Sequence, residues 1–383
     1  MKILAIICEF NPFHNGHKYL LERARKLSGA DFILCIMSGN FTQRGEMCVL
    51  DKYTRAKHAV SGGADCVIQL PASFAVAPAE IFASGAIKIL SSIPGVTSLA
   101  FGCESGDAQS FLNAANLLTA ETDKFKVKLN EMLLGGESYI KSYAAAFETG
   151  GGDSRLVSNP NNILGLEYTK AILKTNADIE ILPIKRIGAG YNDRELKENY
   201  SSASAIRQNL NCSKIKDNLP DFVYTDLQNF KLSGEFDSIL RNSLFNATTD
   251  NLKRVYGCGE GLENKLKSLE NLPVGDIIRK ATSKRYSSSR IRRILCANAL
   301  ELYSDDCKKY LSGDLYIKPL AVKKQCADSI LSALANSVFP VVTGIDAQKL
   351  TTTARECFEK DRKEYGIYNF LTHSDKKDYM VLV

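Results

Sequence analysis

The 383-residue sequence predicts an α/β fold: a parallel sheet with helices on both faces, then a mostly helical C-terminal domain. Three observations carry this. Short, wholly apolar runs rich in β-branched residues recur through the first hundred residues, each with the length of a buried strand. Amphipathic runs at helical spacing lie between them, as in a sheet covered on both sides. Beyond residue 210 strand-like runs become scarce and helical spacing takes over. The domains expected are therefore residues 1–210 and 211–383. The chain is long enough for two domains, and 45% hydrophobic with 24% charged residues is the balance of a soluble globular protein.

The first strand is Ile3–Cys8. A helix over Gly16–Leu27 follows, with Leu20, Ala24 and Leu27 on one face. Phe32–Met37, Cys66–Leu70 and Ser98–Phe101 are the next strands. Helices over Asp51–Ser61 and Ala79–Leu90 alternate with them, the latter with Phe82, Ala86, Ile89 and Leu90 on one side. Residues 107–175 read as helices with a break at Gly150–Asp153, and Pro160 starts the last of these. Ile179–Ile184 is a fifth strand, running into Lys185-Arg186-Ile187-Gly188-Ala189-Gly190-Tyr191. Leu315–Val322 and Val338–Val342 are expected to pair as a small sheet. In parallel sheets ligands bind beyond the carboxyl ends of the strands. The loops Glu9–Asn15, Ser38–Val49 and Gly102–Gly106 are thus the places for a site.

The stretch Glu9-Phe10-Asn11-Pro12-Phe13-His14-Asn15-Gly16-His17 holds two of the four histidines. It joins a strand to a helix start, where unpaired N–H groups and the helix dipole favour an anion such as phosphate. Gly16 would let the backbone approach a ligand. In the Ser38–Val49 loop and the helix after it, Gln43, Arg44, Lys52 and Arg55 read as substrate contacts or, equally, as a solvated face.

Phe-Asn-Pro-Phe-His-Asn-Gly-His resembles the first signature of the α/β nucleotidyltransferase superfamily, His/Thr-x-Gly-His. Ser202-Ala203-Ser204-Ala205-Ile206-Arg207 resembles its second, Ser-(Ser/Ala)-(Thr/Ser)-x-Ile-Arg, with Ser204 where threonine is commoner. Met37-Ser38-Gly39-Asn40-Phe41-Thr42-Gln43-Arg44-Gly45-Glu46 and Pro160-Asn161-Asn162-Ile163-Leu164-Gly165 narrow the resemblance to the bacterial tRNA(Met) cytidine acetate ligase family. It is sharp over residues 1–210 and loose beyond.

The resemblance implies a Rossmann-like nucleotidyltransferase sheet and a catalytic set of His14, His17 and Arg207. It places ATP against Ile7, Cys8, Glu9, Phe10, Asn11, Pro12, Phe13, His14, Asn15, Gly16, His17, Lys18, Tyr19 and Leu20. Gly102, Asn161, Asn162, Arg186, Ser202, Ser204 and Arg207 complete the ATP set. The histidines would hold the α- and β-phosphates, and Arg207 with both serines the β- and γ-phosphates. Mg²⁺ would bridge phosphate oxygens without a protein cage of its own. The implied reaction joins acetate to AMP, then to the wobble cytidine of elongator tRNA(Met), giving N4-acetylcytidine.

Net charge is +6, too mild to indicate nucleic acid by itself. Its distribution says more. Arg279 to Arg293 holds seven cations, no acid and Tyr286. Ile291, Ile294, Leu295, Ala299 and Leu302 form a buried stripe there, so Lys284, Arg285, Arg290, Arg292 and Arg293 are expected to face outward toward the tRNA backbone. The eleven cysteines are scattered without metal-ligand or disulfide spacing, and no apolar span is long enough for a membrane. The expected compartment is cytoplasmic; no protein partner is identifiable. Two other readings stay open: a nucleotidyltransferase making a dinucleotide cofactor, and a non-catalytic RNA-binding protein on the same fold.

Overall fold

The computed structural model describes residues 1–104, 106–120, 123–137, 139–187, 195–228, 230, 235–344 and 347–383. Ser105 and the glycine-containing stretch 188–194, two of the sequence-predicted loop features, lie outside the described residues. The apolar runs form five parallel strands: β1 (Ile3–Cys8), β2 (Phe32–Ser38), β3 (Cys66–Leu70), β4 (Val96–Cys103) and β5 (Glu180–Lys185). Two more, β6 (Pro319–Val322) and β7 (Val381–Leu382), come from the far end of the chain. The sheet order is β5-β4-β1-β2-β3-β6-β7. The helices that matter below are α1 (Asn15–Ser28), α2 (Lys52–Ser61), α3 (Ala79–Ser91), α4 (Pro160–Thr175), α5 (Ala203–Gln208), α6 (Ser288–Ala299) and α7 (Thr352–Thr372).

Because successive side chains of a strand point to opposite faces, β1 serves two cores. Ile3, Ala5 and Ile7 pack with Phe82 and Ile89 of α3 and Leu166 and Ile172 of α4. Leu4 and Ile6 pack with Leu21 and Ala24 of α1 and Ala56 and Val60 of α2. The chain runs outward from β1 through β2 to β3, then returns to start β4 on the other side. Connections therefore diverge between β1 and β4, and a crevice opens beyond their carboxyl ends. Among the described residues no helix is long and apolar enough to cross a membrane, and all eleven cysteines are free.

The expected small sheet does not form. Only Ile317 and Val341 bridge. Pro319–Val322 instead runs antiparallel to β3, pairing an edge that would otherwise be open, and β7 adds alongside. The chain beyond residue 210 is mostly helical, but its last part belongs to the main sheet.

A buried ionic cluster fastens that closure. Lys52 of α2 and Lys318 before β6 are almost fully buried, at 0% and 1% exposure. Both reach one carboxylate: Lys52 Nζ lies 2.8 Å from Asp378 Oδ1, and Lys318 Nζ lies 2.6 Å from Oδ2. Lys52 also donates to Gln69 of β3. Gln69 in turn donates to Asp361 of α7, which accepts from the Ala72 N–H as well. Glu364, one turn further along α7, accepts from the Asn40 N–H after β2.

Candidate active site

The crevice beyond β1 and β4 is lined by six parts of the chain. The end of β1 and the start of α1 give Glu9, Asn11, His14 and His17. The loop after β2 gives Thr42, Gln43, Arg44 and Glu46. Gly102 comes from β4, Asn161 and Tyr168 from α4, and Lys185 and Arg186 from the end of β5. The segment through α5 adds Ser202, Ser204 and Arg207.

The two histidines cap α1 reciprocally. His14 is the N-cap, and its Nδ1 accepts from the Gly16 N–H at 3.0 Å. His17 Nδ1 accepts from the His14 N–H at 3.3 Å. The rings stack with centroids 3.6 Å apart. An Nδ1 that accepts carries no proton, so each neutral ring holds its hydrogen on Nε2 as a donor. Gly16 has a steric reason beyond the one expected: a Cβ there would lie 2.9 Å from His14 Cε1. Glycine lets the ring fold back over the helix start.

Burial, with Arg186 and Arg207 nearby, pulls the His14 pKa down to about 3. His17 is likewise held well below the ordinary range by burial, then by His14 and Arg186. Both sites therefore donate hydrogen bonds as neutral imidazoles. In ¹⁵N NMR of the ligand-free protein, His14 and His17 should keep neutral shifts from pH 8 down to pH 5. Titration of either near 6.5, the usual imidazole value, would refute this assignment. The sign carries over to stability. Between pH 6.5 and about 3 the unfolded chain binds more protons at His14, so acidification through that window destabilises the fold.

Arg207 reaches across the crevice. Its Nη1 donates to the Asn11 carbonyl at 2.7 Å and its Nη2 to Glu46 Oε2 at 2.6 Å, with Ser204 Oγ at 3.4 Å. Ser202 caps α5, its Oγ accepting from the Ala205 N–H. Glu9 accepts from the Gln43 N–H at 2.7 Å, and burial pushes its carboxyl pKa up. Asn11 Oδ1 accepts from the Val49 N–H, while its buried Nδ2 has no hydrogen-bond partner. A Cβ on Gly102 would lie 3.3 Å from Arg186 Cγ, so glycine lets Arg186 cross the end of β4.

Not every expected contact faces the crevice. Pro12 and Phe13 are buried, with Phe13 in the core beneath α1. Lys18 is exposed on α1, outside the lining. Asn15 Nδ2 clips the carbonyls of Asn199 and Asp217. Asn161 and Asn162 sit differently despite being adjacent. Asn161 lines the crevice and donates to Glu104, whereas buried Asn162 accepts from the Glu104 N–H and donates to the Arg155 carbonyl. Lys52 and Arg55 are fully buried and are not open to a substrate. Arg55 donates to the carbonyls of Glu9, Ser38, Gly39 and Leu50, tying the ends of β1 and β2 to the start of α2.

The basic stretch also splits. Lys284 and Arg285 are exposed, Arg285 beside Glu260. Arg290 turns inward to the Gly257 carbonyl. Arg293 is half-buried and donates to the Gln43 carbonyl at 3.4 Å, and burial lowers its pKa to about 10. Arg292 pairs with Glu46 at 3.0 Å. The outward face expected for all five holds for the first two. Arg292 and Arg293 are drawn to the loop after β2 because that loop carries acceptors and α6 packs directly on it.

The sequence model of the HIGH Nucleotidyl Transferase family matches residues 1–380. A tRNA(Met) cytidine acetate ligase of Thermoanaerobacter sp. (strain X514) is 34% identical over 383 residues, covering 96% of this chain and 95% of the relative. The chain belongs to the tRNA(Met) cytidine acetate ligase family. A ligase of that name from Caldicellulosiruptor saccharolyticus is 41% identical over 305 residues, covering 77% of this chain and 76% of its own. The crystal structure of apo Thermotoga maritima TmcAL (form I) matches with a TM-score of 0.89. TmcAL bound with alpha-thio ATP (form II) gives 0.86, and both cover 100% of each chain at 28% identity. In this ligase-family chain, motif reading passed over Phe101 and Tyr168, aromatic walls of the crevice next to Gly102. Their periodicity marks them only as core, and no spacing signal separates a core aromatic from one at the lip of a site.

Proposed function

We propose that the chain adenylates acetate with ATP and transfers the acetyl group to the N4 amine of the wobble cytidine in elongator tRNA(Met). The observation that carries the phosphorus chemistry is the convergence of two neutral Nε2–H donors and the Arg207 guanidinium on one crevice. Family membership and near full-length ligase relatives support the choice of acceptor.

In the first step an acetate oxygen attacks the α-phosphorus of ATP, the bond to the β-phosphate oxygen breaks, and pyrophosphate leaves. Acetate is already ionised near neutrality and needs no base. What the reaction needs is alignment and donors fixed where charge grows. His14 and His17 serve the α- and β-phosphates, and Arg207 with Ser204 the terminal ones. Asn11 Nδ2 is a further donor at the same wall. Neutral imidazoles fit a site that already holds Arg186 and Arg207, since they donate without adding charge. Among the described residues no cluster of three metal-ligating side chains exists. Mg²⁺ would be held by the ATP phosphates and would neutralise part of their charge.

In the second step the cytidine N4 attacks the acetyl carbon, AMP leaves, and N4 loses one proton. Residues 1–210 supply the ATP site in this reading. The helical part of residues 211–383 supplies the tRNA surface, through Lys284, Arg285 and the half-exposed Arg292. The compartment that supplies ATP, acetate and tRNA together is the cytoplasm.

The test is incubation of the purified protein with Mg·ATP, labelled acetate and total tRNA. Label should enter tRNA as N4-acetylcytidine, with one AMP released per acetyl group. Release of ADP in place of AMP, or label in RNA only when labelled acetyl-coenzyme A replaces the labelled acetate, would remove this reading. AMP transferred to a small metabolite with no label in RNA would favour a cofactor-type transferase.

A further inference from the structure

We propose that Glu46 occupies the terminal-phosphate end of the crevice until ATP displaces it, and that Arg292 receives it when it leaves. Glu46 is thus a positioning residue that acts through Arg207. The proposal rests on the reading above that Arg207 holds the β- and γ-phosphates.

The guanidinium that would take those phosphates already carries a carboxylate. Arg207 Nη2 donates to Glu46 Oε2 at 2.6 Å, a single charge-assisted bond, while its Nη1 is on the Asn11 carbonyl. The other oxygen, Oε1, accepts from Arg292 Nη1 of α6 at 3.0 Å. Glu46 is three-quarters buried between these two arginines, which lie 85 residues apart in sequence. Its backbone is fixed. The Thr42 N–H donates to the Glu46 carbonyl and the Gly45 N–H to the Thr42 carbonyl, each at 2.9 Å. Gly45 has φ +72°, and a Cβ there would lie 2.6 Å from the Arg293 Cα. The loop is pressed on α6, so Glu46 responds to a competitor by turning its side chain, with the loop held.

A triphosphate arriving at Arg207 repels the carboxylate already there and competes for the same Nη2. When ATP takes Arg207, the carboxylate keeps Arg292, so it is never left buried without a cation. When pyrophosphate leaves, Glu46 returns to Arg207 and closes the subsite against rebinding. Two consequences can be measured. Glu46 weakens ligands that carry β- and γ-phosphates, and it leaves AMP alone because AMP does not reach Arg207.

The test is calorimetric titration of wild type, E46Q, R292A and R207A with ATP, AMP and pyrophosphate, each with Mg²⁺. E46Q should bind ATP and pyrophosphate on the order of tenfold more tightly, with AMP within about twofold of wild type. E46D, which keeps the charge but is one methylene shorter on a held loop, should bind ATP with an affinity between those of wild type and E46Q. R292A should weaken ATP and spare AMP, since the displaced carboxylate loses its second cation; this arm stands even if E46Q folds poorly. A loop-holding role alone would weaken ATP and AMP together in E46Q, and that result overturns the proposal, as does no change in either. R207A separates the two levels of inference. If it binds ATP as wild type does, the assignment of Arg207 fails. If it loses ATP while E46Q changes nothing, only the role of Glu46 fails.

Discussion

Alanine at His14 or His17 should lower acetate-dependent exchange of pyrophosphate into ATP by about 10²–10³-fold, the usual effect of losing one preorganised donor. RNA acetylation should fall with it, because no adenylate forms. The size follows from the geometry. Each Nε2–H is fixed by what the other ring nitrogen does, so no reorientation is needed as charge grows on the phosphorus oxygens. Each substitution also removes a helix cap, which costs about 1 kcal/mol of stability and should leave the protein folded. Asparagine at position 14 separates the two roles, since it can still accept from the Gly16 N–H. Its melting temperature should recover more than its exchange rate. Exchange within a few-fold of wild type in either alanine variant would show that the imidazoles serve only as caps.

Alanine at Asp378 should destabilise the protein by about 3–5 kcal/mol at neutral pH, the range for removing one partner of a buried ion pair. It leaves two buried ammonium groups facing each other. Burial would raise the Asp378 carboxyl, but Lys52 and Lys318 outweigh it and hold the pKa at about 2. A depressed carboxylate contributes stability above its unfolded pKa and loses it as pH falls through the folded one. The gap between wild type and variant in denaturant unfolding should therefore be full at pH 7 and narrow as pH falls from 4 toward 2. A loss under 1 kcal/mol at pH 7 would mean that water or another acid reaches the lysines.

Much of the parallel sheet and the crevice was legible in the sequence because both are written locally. An apolar run such as Ile3–Cys8 specifies a strand by its own composition, and His14-Asn15-Gly16-His17 specifies a helix start open to an anion by its own spacing. What stayed illegible is pairing across long separations. Lys52 and Arg55 read as cations at a helix start, open to a substrate. Whether they face solvent or the core depends on Asp378 and on the carbonyls of Glu9 and Ser38, which no local window contains. Arg292 and Arg293 were misplaced for the same reason. Their helical face was read correctly as opposite the apolar stripe, yet that face meets the loop at Gln43–Glu46. The motif around Glu46 was noticed without its meaning, because neither of its arginine partners is near in sequence. Pro319–Val322 was recognised as strand-like, but its place beside β3 follows from an unpaired edge elsewhere.

The position of β6 and β7 bears on how the chain is made. β3 is complete once residue 70 has been synthesised, while the strand that covers its outer edge begins at residue 319. On the ribosome that edge, with Lys52 and Gln69 behind it, waits through the synthesis of some two hundred and fifty residues without a lasting partner. An open apolar edge on a nascent chain invites pairing with other chains. The C-terminal segment is therefore the late closing strand of the sheet, and the edge of β3 stays unpaired until it has been made.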